Sequence, residues 1–180
     1  MTREDLARFR TLKINYSVIG LEQGGYEPYF CTPADAEYIG SLGCDGVHFI
    51  LLPGDERVFC VEPSLGEPGT YVLPVAENFR AFLSYVLYCR DANPIAQLAW
   101  MEEEAFRSFL EAERDADGAG DKALQEQKQA ALAAIAAQFA LAPEDPYERV
   151  KALQAVFDPR DLHFSEEYYD VLGIEREIRR

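Results

Sequence analysis

Residues 43–63 read GCDGVHFILLPGDERVFCVEP, two apolar runs separated by turn residues. VHFILL and RVFCV have the length and composition of strands. PGDE between them is rich in turn-forming residues, so the pair predicts an antiparallel hairpin. Because the first run is continuously apolar, we expect it to form a central strand that is covered on both faces.

The same residues are also compatible with a Cys/His active site, since they include Cys44, Cys60 and His48. A nucleophilic cysteine needs a partly exposed thiol with a lowered pKa. Cys60 lies inside a predicted strand, and all four cysteines have apolar neighbours, so we expect buried thiols. His48 is expected to be a hydrogen-bonded core residue, with an exposed contact as the alternative. We therefore predict no catalytic residues.

Beyond the hairpin, the pattern changes from strand to helix. Residues 70–76, TYVLPVA, predict a third strand. Pro74 must lie at an edge or near the end of this strand, because it cannot donate to a ladder. Asn78 is expected to cap a helix whose apolar residues share one face and cover the sheet. These residues are Phe79, Phe82, Leu83, Val86 and Leu87.

Four shorter patterns predict local structure. Residues 5–12 predict an amphipathic helix, and 13–21 are rich in strand-forming residues. Residues 32–42 have the form of a capped helical turn, with Thr32 as the cap. The Asn-Pro dipeptide at 93–94 predicts a further helix start.

The chain is expected to divide at residues 114–121, RDADGAGD, which have the composition of a linker. At 180 residues it is long enough to bury a substantial core. The sequence therefore predicts an α+β domain at 1–113, in which helices pack a mainly antiparallel sheet. A helical C-terminal extension is predicted at 122–180.

The charge restricts the partners of this protein. Its 32 acidic and 17 basic residues leave a net charge of −15. Binding to nucleic acid or to an anionic membrane is disfavoured, because both depend on Lys and Arg. The charge favours association with a basic protein, although solubility alone also accounts for it. Neither a signal peptide nor a spanning segment is predicted, so we expect a cytoplasmic protein.

Motifs for metals and cofactors do not occur in the sequence. Zinc sites usually take paired Cys or His ligands from tight turns, but CxxC, CxxH and HxxxH are absent. Phosphate-loop and serine-hydrolase signatures are absent as well. We predict neither a metal nor a cofactor. The acidic run at 102–104 is expected to be exposed helix surface, since consecutive helical residues point in different directions.

Residues 44–63, followed by YVLPVAENFRAFLSYVL at 71–87, resemble the SUKH superfamily. This superfamily includes fungal cell-wall synthesis regulators and many bacterial immunity proteins. Its hairpin leads into the pattern VxPVAxSFxxFLxxL, which 71–83 follow with Asn78 in place of the usual Ser or Asp. The resemblance covers 25–110 and implies an α+β fold, no catalytic residues and a protein-binding role. Immunity members bind a cognate toxin, and an acidic surface suits a basic one.

Polar residues beside the predicted elements are candidate partner contacts. They are Asp45, His48, Glu56, Glu102, Glu103 and Glu104. Two other interpretations stay open. One is an enzyme that uses His48 with Asp45 or Cys60 in a cleft. The other is a regulatory or scaffold protein whose C-terminal helices bind another helix.

Overall fold

The computed structural model describes residues 2–25 and 27–176. Within these residues the fold is α+β, with one antiparallel sheet in the strand order β1-β2-β3-β4. The strands are β1 (Glu37–Ser41), β2 (His48–Leu51), β3 (Val58–Val61) and β4 (Val72–Ala76).

Helices surround the sheet and form the C-terminal part of the described chain. They are α1 (Thr2–Phe9), α2 (Phe79–Cys89), α3 (Asn93–Leu98), α4 (Glu103–Ala119), α5 (Lys122–Phe139), α6 (Tyr147–Ala155) and α7 (Glu166–Leu172). Two short 3₁₀ turns lie at Tyr16–Ile19 and Pro159–Asp161.

The predicted hairpin is confirmed. β2 and β3 pair antiparallel, with His48 opposite Val61 and Leu51 opposite Val58. Every residue of both strands is buried, as expected for central strands. Pro74 lies in β4, which is an edge strand of the sheet.

The predicted helix after the third strand is confirmed as α2. The Asn78 side chain accepts a hydrogen bond of 3.0 Å from the Ala81 amide, which would otherwise have no partner in the first turn. All five residues of the predicted apolar face are buried.

The two faces of the sheet carry separate apolar clusters. The helix-side core includes Phe49, whose ring lies 4.9 Å from that of Phe82 on α2. The C-terminal core lies on the opposite face and includes Phe59, whose ring lies 5.7 Å from that of Phe157. Leu162 and Tyr168 also belong to the C-terminal core. The C-terminal part of the chain therefore packs directly on the sheet.

Two local predictions are wrong. Residues 37–41 are a strand rather than part of a helical turn, because β1 pairs with β2 on both sides of a register shift between Tyr38 and Gly40. Gly40 allows the backbone of Leu21 to approach, since a Cβ at this position would lie 3.0 Å from it. Within 13–21, four residues form a 3₁₀ turn that Asn15 caps, instead of a strand.

The predicted linker also differs from the observed structure. Residues 114–119 are the last turns of α4, and Asp121 already caps α5. Lys128 of α5 forms ion pairs of 3.0 Å with Asp91 and 2.9 Å with Asp117, which tie the helices together. α5 and α6 contribute to the helix-side core as well. The division into a domain at 1–113 and an extension at 122–180 stays a prediction.

Candidate functional site

The candidate site is a cleft of about 300 Å³ beside the start of β2. Segments 22–25 and 27–29 form one wall, and the turn 43–48 forms the other. Its polar lining includes Glu22, Glu27, Tyr29, Tyr38, Asp45 and His48. We call it the acidic cleft.

Glycines in the turn give the acidic cleft its shape. Gly43 and Gly46 have φ angles of +79° and +71°, which residues other than glycine rarely adopt. A Cβ on Gly46 would lie 2.3 Å from the ring of Tyr29, and one on Gly43 would lie 2.7 Å from the carboxylate of Glu22. The glycines therefore let an aromatic ring and a carboxylate pack directly on the turn.

His48 lies beneath this cleft and is 3% exposed. Its Nδ1 lies 2.7 Å from the carbonyl of Gly46, and its Nε2 lies 3.2 Å from the hydroxyl of Thr32. Thr32 also accepts a 2.9 Å hydrogen bond from the Tyr29 amide. Burial lowers the pKa of His48, while the Gly46 contact partly opposes this shift. The expectation of a hydrogen-bonded core histidine is confirmed.

Carboxylates act together on the thiol of Cys44. Cys44 is exposed, but partial loss of contact with water is still the largest cause of its raised pKa, and the charges of Asp45, Glu62 and Glu22 raise this pKa further. The pKa of Tyr38 is also raised, first by burial and then by the charge of Glu22. The field inside the acidic cleft is therefore negative.

The cysteine prediction holds for Cys31, Cys60 and Cys89, which are buried, but it is wrong for Cys44, which is exposed. The turn at 43–48 places Cys44 before the strand begins, so its side chain stays outside the sheet. Exposure does not make this thiol a strong nucleophile, because a raised pKa leaves less thiolate at neutral pH.

A Cys60–His48 catalytic pair is incompatible with the sheet. Cys60 belongs to the helix-side core, whereas the face of His48 is shared with Ile50 in the C-terminal core. Cys60 is fully buried, and this burial holds its pKa well above the ordinary value. The two side chains thus point to opposite faces of the sheet.

The structure brings together two of the six predicted contact residues, Asp45 and His48, but the burial of His48 leaves Asp45 as the accessible one of the pair. Glu56 is exposed outside the acidic cleft, and its carboxylate accepts a 2.9 Å hydrogen bond from the Thr2 amide. Residues 102–104 are exposed at the start of α4, as expected, and Glu103 forms a 3.1 Å ion pair with Arg107.

Sequence reasoning missed Glu22, Glu27 and Tyr29 on the opposite wall of the acidic cleft, and it missed Tyr38 of β1. A charge pattern could have indicated it, because residues 14–56 contain seven acidic residues and no Lys or Arg. The sequence does not show that these four residues lie near the turn 43–48, because they belong to separate segments of the chain.

No group of three or more His, Cys, Asp or Glu side chains in residues 2–25 and 27–176 is arranged to hold a metal ion. Among the described helices, none has the length and apolar character needed to cross a membrane.

No family model, curated protein or solved structure matches this chain. The resemblance to the SUKH superfamily stays a prediction.

Proposed function

We propose that this protein is a non-catalytic protein-binding module whose acidic cleft receives a basic segment of a partner protein. The observation that carries this proposal is the convergence of Glu22, Glu27 and Asp45 on one concave surface. Residues 14–56, which build the cleft, contain seven acidic residues and no Lys or Arg.

The lining is suited to a Lys or Arg side chain. Carboxylates pair with either cation, and the rings of Tyr29 and Tyr38 add faces for a cation–π contact. Asp45 holds a positive φ of +52°, which orients the turn beside the opening. The net charge of −15 would also accelerate the encounter with a basic partner.

The narrower proposal is an immunity protein that neutralises a basic toxin in the cytoplasm. Its support is the SUKH resemblance over 25–110, which contains the turn 43–48 and the part of the other wall at 27–29 but not Glu22. The scaffold alternative needs a helix that can bind through its apolar side. In α5, however, Ala131, Ile135 and Phe139 are buried in the helix-side core. This burial favours the acidic cleft as the contact surface.

The test compares two variants that remove the same charge from different surfaces. One variant neutralises the cleft through Glu22→Gln, Glu27→Gln and Asp45→Asn. Its matched control neutralises α4 through Glu102→Gln, Glu103→Gln and Glu104→Gln. The partner is identified by mass spectrometry of proteins that co-purify with the full chain, and its affinity is then measured by calorimetry at several salt concentrations.

We expect the cleft variant to weaken binding by about tenfold or more at low salt, with a smaller loss at high salt. The control variant should bind as the natural protein does. Weaker binding by the control alone would move the contact surface to α4. Equal affinities and salt dependence in all three proteins would contradict an electrostatic interface.

A further inference from the structure

A second and larger opening involves the C-terminal part of the described chain. It has a volume of about 840 Å³ and runs between the loop at 68–72 and the C-terminal segment 159–176. We call it the aromatic groove. Its lining includes Tyr71, Arg160, Phe164, Tyr168, Tyr169 and Arg176.

The rings of the aromatic groove are held in place by one another. Phe164 and Tyr168 are stacked at 3.9 Å with 10° between their planes. Tyr169 and Tyr71 stand almost perpendicular to Tyr168, at centroid distances of 5.2 and 6.4 Å. Tyr168 is also buried in the C-terminal core. Fixed ring surfaces suit a flat aromatic ligand, because binding then costs little side-chain ordering.

The charges of the aromatic groove contrast with those of the whole chain. Its lining includes two guanidinium groups, Arg160 and Arg176, and one carboxylate, Glu175. Arg160 donates two hydrogen bonds to Asp158, of 2.9 Å from Nε to Oδ1 and 2.6 Å from Nη2 to Oδ2. This ion pair fixes the guanidinium plane and offsets the charge of Arg160. Arg176 lies 6.0 Å from the ring centre of Tyr169. The guanidinium of Arg176 therefore lies beside a ring surface of the groove.

We propose that the aromatic groove binds an aromatic acid, a small molecule that combines a flat ring with an anionic group. The ring would lie against Tyr169 and Phe164, and the anion would face Arg176. The volume falls in the range of small-molecule pockets, whose walls are mostly apolar with a few placed polar groups. This site lies outside the acidic cleft and does not depend on the proposed partner.

The test uses two probes with the same indole ring and opposite charge, indole-3-acetate and tryptamine. Each is titrated into the isotope-labelled full chain, and amide chemical shifts are followed by NMR. We expect indole-3-acetate to shift amides at 68–72 and 159–176, and to bind at least about threefold more tightly than tryptamine.

Two arginine variants remove the same charge, one inside the groove as the test and one outside it as the control. Arg176→Gln should weaken indole-3-acetate binding by roughly two- to fivefold, the size of one exposed charge contact. Arg149→Gln, an exposed residue of α6 whose 3.8 Å ion pair is with Glu144, should leave it unchanged. Circular dichroism and thermal melting establish that both variants are folded.

Three results would overturn the proposal. The first is the absence of shifts at 68–72 and 159–176 with about 5 mM indole-3-acetate. The second is equal or tighter binding of tryptamine in the natural protein, which needs no variant. The third is concentration-dependent dimerisation that protects the groove amides, because the occupant would then be a second copy of this chain.

Discussion

The acidic cleft and the aromatic groove differ in charge, in size and in construction. Among the described residues, the lining of the acidic cleft has carboxylates from Glu22, Glu27 and Asp45 and no Lys or Arg. The aromatic groove is almost three times as large, and its lining includes Arg160 and Arg176. A net charge of −15 therefore does not describe every surface of the molecule, and we expect the two openings to bind ligands of opposite charge.

Their construction differs as well. One wall of the acidic cleft is a tight turn whose shape depends on glycines with positive φ angles. The aromatic groove depends on rings from the C-terminal segment packed against a loop about a hundred residues earlier. The first is therefore sensitive to changes in backbone conformation, and the second to the loss of packed side chains.

The largest expected effect is that of Tyr168→Ala, which should alter the aromatic groove but not the acidic cleft. Tyr168→Ala should lower the free energy of unfolding by about 3 kcal/mol, because the side chain is buried among aromatic rings. It should also abolish binding of indole-3-acetate and leave the acidic cleft able to bind its partner. Urea denaturation and calorimetry measure these effects.

Tyr168→Phe serves as the control, because it keeps the ring and should lose less than about 1 kcal/mol of stability. If Tyr168→Ala also weakened binding at the acidic cleft, the two openings would be coupled.

A smaller effect is expected from the turn of the acidic cleft. Gly46→Ala should lower stability by about 2 kcal/mol or more, since alanine is strained at φ +71° and its Cβ would clash with Tyr29. Gly54→Ala is the matched control, because φ is +73° there but nothing lies within 4 Å of the added Cβ. Its loss should be only about 1 kcal/mol.

The difference between the two glycine variants in urea denaturation measures the Tyr29 contact alone. Equal losses would mean that Tyr29 does not constrain the turn.

The smallest effect concerns His48, which lies below the acidic cleft. Its pKa is lowered in the folded state, so the unfolded chain binds more protons below the ordinary imidazole value of about 6.5. Stability is therefore lost as the pH falls through 6.5 towards the folded pKa. The slope is at most about 1.4 kcal/mol per pH unit, the value for one proton.

The measurement is urea denaturation of the natural protein and of His48→Asn between pH 7.5 and 5. The variant should be less stable at neutral pH, because it loses the Thr32 contact. Its stability should also change less with pH over this interval. Parallel curves would show that His48 is protonated equally in both states.

Much of the fold was predictable from residues that are close in the chain. The hairpin of β2 and β3 follows from two apolar runs and a turn, and α2 follows from helical spacing after Asn78. β1 was missed because the Thr32-Pro33 dipeptide is typical of a helix start. The strand forms because 37–41 pair with β2, and this partner is not evident from local propensity.

The candidate sites were less predictable. Asp45 and His48 were chosen as polar residues beside a predicted strand, and the turn between them places both at the acidic cleft. Glu56 and the run at 102–104 were chosen by the same reasoning, yet the structure places them on other surfaces. The exposure of Cys44 depends on where β2 begins, and a propensity argument does not give that boundary to within one or two residues.

Strand propensity, turn chemistry and helical spacing act within about ten residues, so they already specify the hairpin and α2. The cover on the second face of the sheet, the wall of Glu22 and Glu27, and the approach of Tyr168 to Tyr71 arise from packing between distant segments. Such contacts depend on the summed burial of many side chains rather than on any local pattern, so they become visible only in the folded chain.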